Sequence, residues 1–221
     1  MSYGQPVTLF LRSRLFGSSG CFAHGNASYS NADPKLTQPI GNARALADEL
    51  TRDGFQVEEG ENLSKEAMQC AFDRLYDKIK PGTIALIFFS GFGIQSNRQS
   101  YLIPVDGQIY KEDDVRHDGI SVDNVLSEMN KRGASVKIVI LDASRRNRFE
   151  GNFRVAPLGL AMPANPPSGT LVMYSAGSGS MVRDAANDRG LFVSELLEGM
   201  HAPGMPAEGP RHVIVWGEAN P

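Results

Sequence analysis

Two short loops hold the residue types from which chemistry could be built. Ser90-Gly91-Phe92-Gly93 follows the apolar run Ile84 to Phe89, and Asp142-Ala143-Ser144-Arg145 follows Val136 to Leu141. Runs of that length and bulk read as buried strands. In open α/β sheets, the loop at a strand's C-terminal end is the usual place for chemistry. Ser144 carries a hydroxyl that becomes a nucleophile only beside a base, and Asp142 supplies a carboxylate two residues earlier. Phe92, 52 residues upstream of Ser144, can neither take a proton nor give one.

The elements that must position these loops are legible from periodicity. Apolar strand-length runs alternate with helical patterns, which predicts βα units and a mainly parallel sheet. After Pro39, the residues Ala43, Leu46, Ala47 and Leu50 fall on one helical face, and "DGFQV" ends that helix and begins a short strand. Ser64 is placed to cap a second helix with Met68, Ala71, Leu75 and Ile79 as its stripe, closed by Pro81-Gly82. Ser121 is placed to cap another, bearing Val122, Val125, Leu126 and Met129. "GTLVMYSAG" reads as a further strand, "LFVSELLEGM" as a helix and "RHVIVW" as a last short strand. Among the first 30 residues, Val7 to Leu11 is the one β run expected, and "KEDDVRHDG" reads as an acidic loop. Cys70 reads as a packing residue close to the stripe of the second helix.

With these elements in order, several motifs resemble the caspase-like peptidases, in particular the bacterial metacaspase-like branch of the C14 type. The usual strings there are Ser-Gly-His-Gly and Asp-Ala-Cys-Arg, with the histidine about 50 residues before the cysteine. "GNASY" resembles the family's early Gly-Asn-x-x-Tyr, "LTQPIGNARALADEL" its helix start and "YLIPVDG" the strand-turn after the histidine loop. "GTLVMYSAGSG" and "GLFVSELL" resemble the segments after the cysteine loop. The likeness runs from about Gly25 to Met200. It implies an α/β caspase-like (caspase-hemoglobinase) fold, with a mainly parallel central sheet of about six strands flanked by helices. The chain is then one domain over 1–221, with an atypical N-terminal segment over 1–24 and a short atypical tail over 201–221. The aliphatic first strand expected before "GNASY" is missing.

The resemblance also assigns roles. Phe92 stands at the histidine position and Ser144 at the cysteine position. The backbone N–H groups of Gly93 and Ser144 stand where the family holds an oxyanion. The family's specificity pocket is acidic and takes an Arg or Lys side chain. By resemblance, Asp142 and Ser90 are kept there, while Asn42 replaces the other acid, so the pocket has lost a charge. A modest, salt-sensitive affinity for Arg-containing peptides is expected, with Phe92 offering its face to the cation. Asp142 also has a plainer reading as a strand-end acid bonding loop N–H groups. Some family members bind calcium, and Asp106, Asp113 and Asp114 fall in a comparable region; the plainer reading of those acids is a solvated loop, and no metal or cofactor is assigned.

Substitute catalytic groups are few. His117 and His24 are the candidates for another base, each with the plainer reading of a solvated loop residue. The expectation is therefore an inactive pseudo-peptidase acting as a binding or regulatory module for a protein or peptide, an active caspase-like relative among them. The alternatives are a hydrolase with residual or altered activity at Ser144, and an engineered inactive form of an Arg/Lys-specific cysteine endopeptidase. Phe92 and Asn42, two changes an inactivating design does not need, favour a natural origin.

Composition agrees with that class. The 221 residues are 41% hydrophobic and 21% charged, with a net charge of −3, which gives no reason to expect nucleic acid despite "SRRNR". Two cysteines make neither a disulfide framework nor a zinc site. No run approaches the length of a membrane span, and "PVTLFLRSRLF" is broken by arginines where a signal peptide would not be. A cytoplasmic location is expected.

Overall fold

The computed structural model describes residues 19–30, 36–143, 159–177 and 190–201, and the backbone of 212–215. The elements in chain order are β1 (Gly20–Gly25), α1 (Pro39–Arg52), β2 (Gln56–Glu61), α2 (Lys65–Lys78), β3 (Ile84–Ser90), β4 (Gly93–Ser96), β5 (Gln99–Leu102), α3 (Glu112–Asp118), β6 (Ile120–Ser121), α4 (Val122–Lys131), β7 (Val136–Asp142), β8 (Thr170–Tyr174), α5 (Leu191–His201) and β9 (His212–Val215). Six strands form one sheet in the order β2-β1-β3-β7-β8-β9, and every neighbouring pair is parallel. A smaller antiparallel sheet, β4-β5-β6, stands beside its C-terminal edge.

Alternation along the strands sends side chains to two separate cores. Phe22, Phe89, Val139 and Tyr174 pack with the stripes of α2 and α4. Ala23, Leu86, Phe88, Ile138 and Ile140 pack with α1 and α5 on the other face. The helix starts behave as their sequences predict. Ser64 Oγ accepts from Ala67 N and Ser121 Oγ from Asn124 N, while α1 opens on Pro39, whose missing N–H costs nothing in a first turn. Lys137, the one cation in β7, donates to Ala134 O and Asn130 Oδ1 just past the end of α4.

Four expectations are corrected here. The first strand is present: it is Gly20–Gly25, buried along its whole length, and Val7 to Leu11 lies outside the described residues. Its small residues hid it from a propensity reading, yet they suit a strand pressed between two helices. A Cβ on Gly25 would collide with the Pro39 carbonyl, and one on Gly20 would sit 3.2 Å from Leu75. The acidic loop contains a helix, α3, with three acids in its first turn, a placement that its dipole favours. Cys70 is exposed, because it falls between Met68 and Ala71, off the buried face of α2. His24 is a strand residue only 1% exposed, whereas His117 is exposed on α3 as expected.

His24 stacks on Phe89 with centroids 5.4 Å apart and tilts against Phe22. Neither ring nitrogen has a hydrogen-bond partner among the described residues. Burial lowers its pKa from 6.5 to about 4, and the nearby Asn26 amide offsets this only in part. The folded state holds the ring neutral while the unfolded chain protonates near 6.5, so the unfolded state carries more protons between those values. Stability should therefore be full above pH 6.5 and fall as pH drops toward about 4, by about 3 kcal/mol at 1.36 kcal/mol per pKa unit. Urea midpoints measured across that range should show this slope, and His24→Leu should flatten it. An unchanged slope in the variant would assign the effect to other groups.

Candidate functional site at the C-terminal edge of the sheet

Parallel register places Gly25 beside Ser90 and Ser90 beside Asp142, one row across the ends of β1, β3 and β7. The chain reverses direction across the sheet at β1, since β2 lies on one side of it and β3 on the other. Such a switch point opens a crevice between neighbouring strand ends, which is where ligands of α/β sheets bind.

Three of the residues expected here meet. Ser90 Oγ donates to Asp142 Oδ2 at 2.6 Å, and Asn42 Nδ2 donates to the same oxygen at 2.9 Å. The other end of the Asn42 amide accepts the Gly190 N–H at 2.9 Å. Asn42 and Ser90 are fully buried, and Asp142 is 2% exposed. This carboxylate bonds side chains from two other elements, so it is more than a strand-end acid answering its own loop.

The loop after β3 is held by its backbone. Gly91 N donates to Asp142 O, Phe92 N to the Tyr29 hydroxyl at 2.8 Å, and Gly93 N to Ala143 O at 3.0 Å. The Gly91 and Gly93 bonds continue the β3–β7 ladder past the strand ends. They also explain the bracketing glycines: a Cβ on Gly91 would lie 2.5 Å from Tyr29 Oη, and one on Gly93 3.0 Å from Ala143 O. The Gly93 N–H, expected to hold an oxyanion, is therefore engaged inside the protein.

Phe92 does not face a guest. Its ring is 2% exposed, 4.8 Å from the Tyr29 ring, in a third apolar cluster with Ile94, Tyr101, Ile103 and Val115. The expected aromatic face for a cation is thus absent, because this ring gains more from burial than from the rim of a cleft. Ser144 and "SRRNR" lie outside the described residues; the description reaches Ala143. His24 is enclosed by Phe22, Phe89 and the close approach of Gly60, an apolar setting that disfavours its charged form.

The acids considered for calcium are each employed separately. Asp106 Oδ1 accepts from Lys65 N, Asp113 pairs with Arg116, and Asp114 Oδ2 accepts from Tyr110 N and Lys111 N at the start of α3. Among the described residues no three acids, histidines or cysteines converge as a metal site. No described helix is long and apolar enough to cross a membrane.

Sequence reasoning missed Ser175. It follows β8, and its N–H donates to Leu141 O, so it sits next to the end of β7. Its hydroxyl is buried without a partner among the described residues. The signal was available, since a polar residue directly after an apolar parallel strand lands on this same edge.

Comparison with known proteins gives the same picture. The caspase domain model of the peptidase C14 family matches residues 20–209. The human mucosa-associated lymphoid tissue lymphoma translocation protein 1 is 26% identical over 128 residues, 57% of this chain and 15% of that protein. Its mouse homologue is 26% identical over 149 residues, 66% of this chain and 16% of the homologue. The chain thus spans about a sixth of these relatives. A crystal structure of a Geobacter sulfurreducens protein superposes with a TM-score of 0.60 at 14% identity, covering 82% of this chain and 81% of that one, which supports the fold.

Close approach at this edge can be tested directly. Gly25→Ala should cost about 1–3 kcal/mol, the range for overpacking, because the colliding atom is backbone of α1. Gly199→Ala, in α5 with nothing within 4 Å of the new methyl, should instead stabilise by about 0.5–1 kcal/mol. Urea unfolding of both variants checks the contrast.

Proposed function

The chain belongs to the caspase-domain family, and we propose that within it this protein is a catalytically inactive member that acts by binding. The observation that carries the reading is the state of the Gly91-Phe92-Gly93 loop. Its three consecutive N–H groups donate to Asp142 O, Tyr29 Oη and Ala143 O, and its central side chain is an apolar ring sealed in a core. A hydrolytic loop needs a group that accepts a proton and donors aimed at the developing oxyanion. This loop offers neither: Phe92 has no lone pair, and the Gly93 N–H is already donated.

The serine at position 144 fits the same reading. A serine hydroxyl is weakly nucleophilic without a base in hydrogen-bond reach, and the His24 ring is buried among aromatic side chains. His117 pairs with Asp118 on the exposed side of α3. The partner under this proposal is a protein or peptide, an active caspase-like relative among the candidates.

Purified protein should cleave neither Arg/Lys nor Asp reporter peptides, with or without calcium, and should not react with a fluorophosphonate probe. Rates should lie at least about 10³-fold below those of an active relative, as expected when nucleophile and base are both altered. Phe92→His together with Ser144→Cys should restore weak turnover, while neither change alone should. Turnover by the unmodified protein that Ser144→Ala abolishes would overturn the proposal.

A further inference from the structure

We propose that the groove between α2 and α4 is a docking site for an arginine-bearing segment of a partner protein, its guanidinium set between Asp73 and the Tyr76 hydroxyl. The groove shares no residue with the sheet edge described above, so its use is independent of whether that edge is catalytic.

α2 packs on β1 and β2, and α4 on β5, β6 and β7, so the two helices flank the line of β3, which lies between β1 and β7. The space between them is a cavity of about 510 Å³ lined by both helices and by the segment entering α4. That volume falls in the range of about 300–1,000 Å³ typical of ligand sites. Phe72, Tyr76, Ile120 and Val125 form its apolar floor. Gln69 and Asp73 stand on the α2 wall, and Asn124 and Glu128 on the α4 wall.

Charge is divided unevenly around it. Arg74 and Lys78 reach to Glu58 on β2, the far side of α2 from α4. Lys131 and Arg132 both bond Glu128, and Arg132 also crosses to Asp77 at 3.2 Å, a bridge from α4 to α2. Asp73, one turn before Asp77, has no ion pair among the described residues. The nearby cations are thus committed to other acids, and one carboxylate on the wall is unanswered.

Tyr76 adds a buried polar group. The residue is 8% exposed, its ring stacks on Phe72 with centroids 6.2 Å apart, and its hydroxyl makes no hydrogen bond among the described residues. Burial raises its pKa most, and Glu128 and Asp73 raise it further, so both carboxylates act on the phenol. A hydroxyl beside two acids suits a cationic donor rather than an anion.

An arginine fits these groups better than a lysine. Its planar fork carries five N–H donors, which the Asp73 carboxylate, the Tyr76 oxygen and the Gln69 and Asn124 amide oxygens can accept. Its methylene stem would lie along the apolar floor. The walls run from residues 69 to 76 and 124 to 131, about 10 Å at 1.5 Å per residue, a match for three residues of extended chain.

The test is a titration of isotope-labelled protein with acetyl-Ala-Arg-Ala-amide at millimolar concentration, followed by amide chemical shifts, with acetyl-Ala-Gln-Ala-amide as the neutral control. Saturable shifts are expected at the α2 and α4 residues of the groove and not at Ser90 or Asp142. Asp73→Asn should weaken binding about fivefold, the upper end for an exposed ion pair, and Tyr76→Phe about threefold. Both variants should keep the wild-type spectrum elsewhere, since Asp73 is exposed and Tyr76 loses only an unbonded oxygen. Shifts centred on the strand ends, no saturable shifts, equal binding of the glutamine peptide, or affinity indifferent to both substitutions would each overturn the proposal. Reporter cleavage and fluorophosphonate labelling read the sheet edge separately, so a failure of one reading is distinguishable from a failure of the other.

Discussion

One carboxylate oxygen organises this edge of the molecule. Asp142 Oδ2 accepts from Ser90 and from Asn42, so the ends of β3 and β7 and the first turns of α1 are tied to a single buried charge. Buried charge is tolerated only when hydrogen-bonded, and here the fold itself supplies the donors. The identity of residue 42 follows from this. A second carboxylate at about the same 2.9 Å separation would repel the first by on the order of 5 kcal/mol at an effective dielectric near 20. An amide of the same shape removes that repulsion and adds a hydrogen bond.

Helix α1 makes the same point from the other side. It has no acidic residue in its first turn and no side-chain cap. Asn42, in the opening turns of the helix, instead carries its side-chain amide to Asp142. The close approach that allows this depends on Gly25, where the α1 start presses on the end of β1. Sheet register, helix entry and charge placement are therefore coupled.

How much of this could be read from the sequence depended on what kind of force shaped each part. The strands β3 and β7 and the helices α1, α2 and α4 announce themselves through period and caps, because burial of long apolar faces is written into composition. β1 does not, since its residues were fitted to space rather than to propensity: Gly20 lies close to Leu75, and at Gly25 a Cβ would collide with the Pro39 carbonyl. α3 was hidden by its acids, which look like a solvated run until their place in a first turn is known. Asn42, Ser90 and Asp142 were named from a resemblance, and their meeting required the register of three strands and a helix. That the Gly93 N–H is donated to Ala143 O and the Phe92 ring is sealed in an apolar cluster was not legible, because a sequence shows which groups exist but not whether they are already engaged.

Engagement is what the groups along this edge have in common. A site that binds and reacts keeps donors and charges incompletely answered until its ligand arrives, and that incompleteness lowers the stability of the free protein. Here the loop N–H groups are donated internally, the carboxylate accepts from Ser90 and Asn42, and the residue at the loop's centre lies in an apolar cluster with Tyr29 and Ile103. Each of these groups is answered inside the protein, and all lie along the same edge. Phe92 is sealed with the Tyr29 hydroxyl on its N–H and with two glycines that let the loop close. This end of the sheet is thereby continuous with the apolar interior.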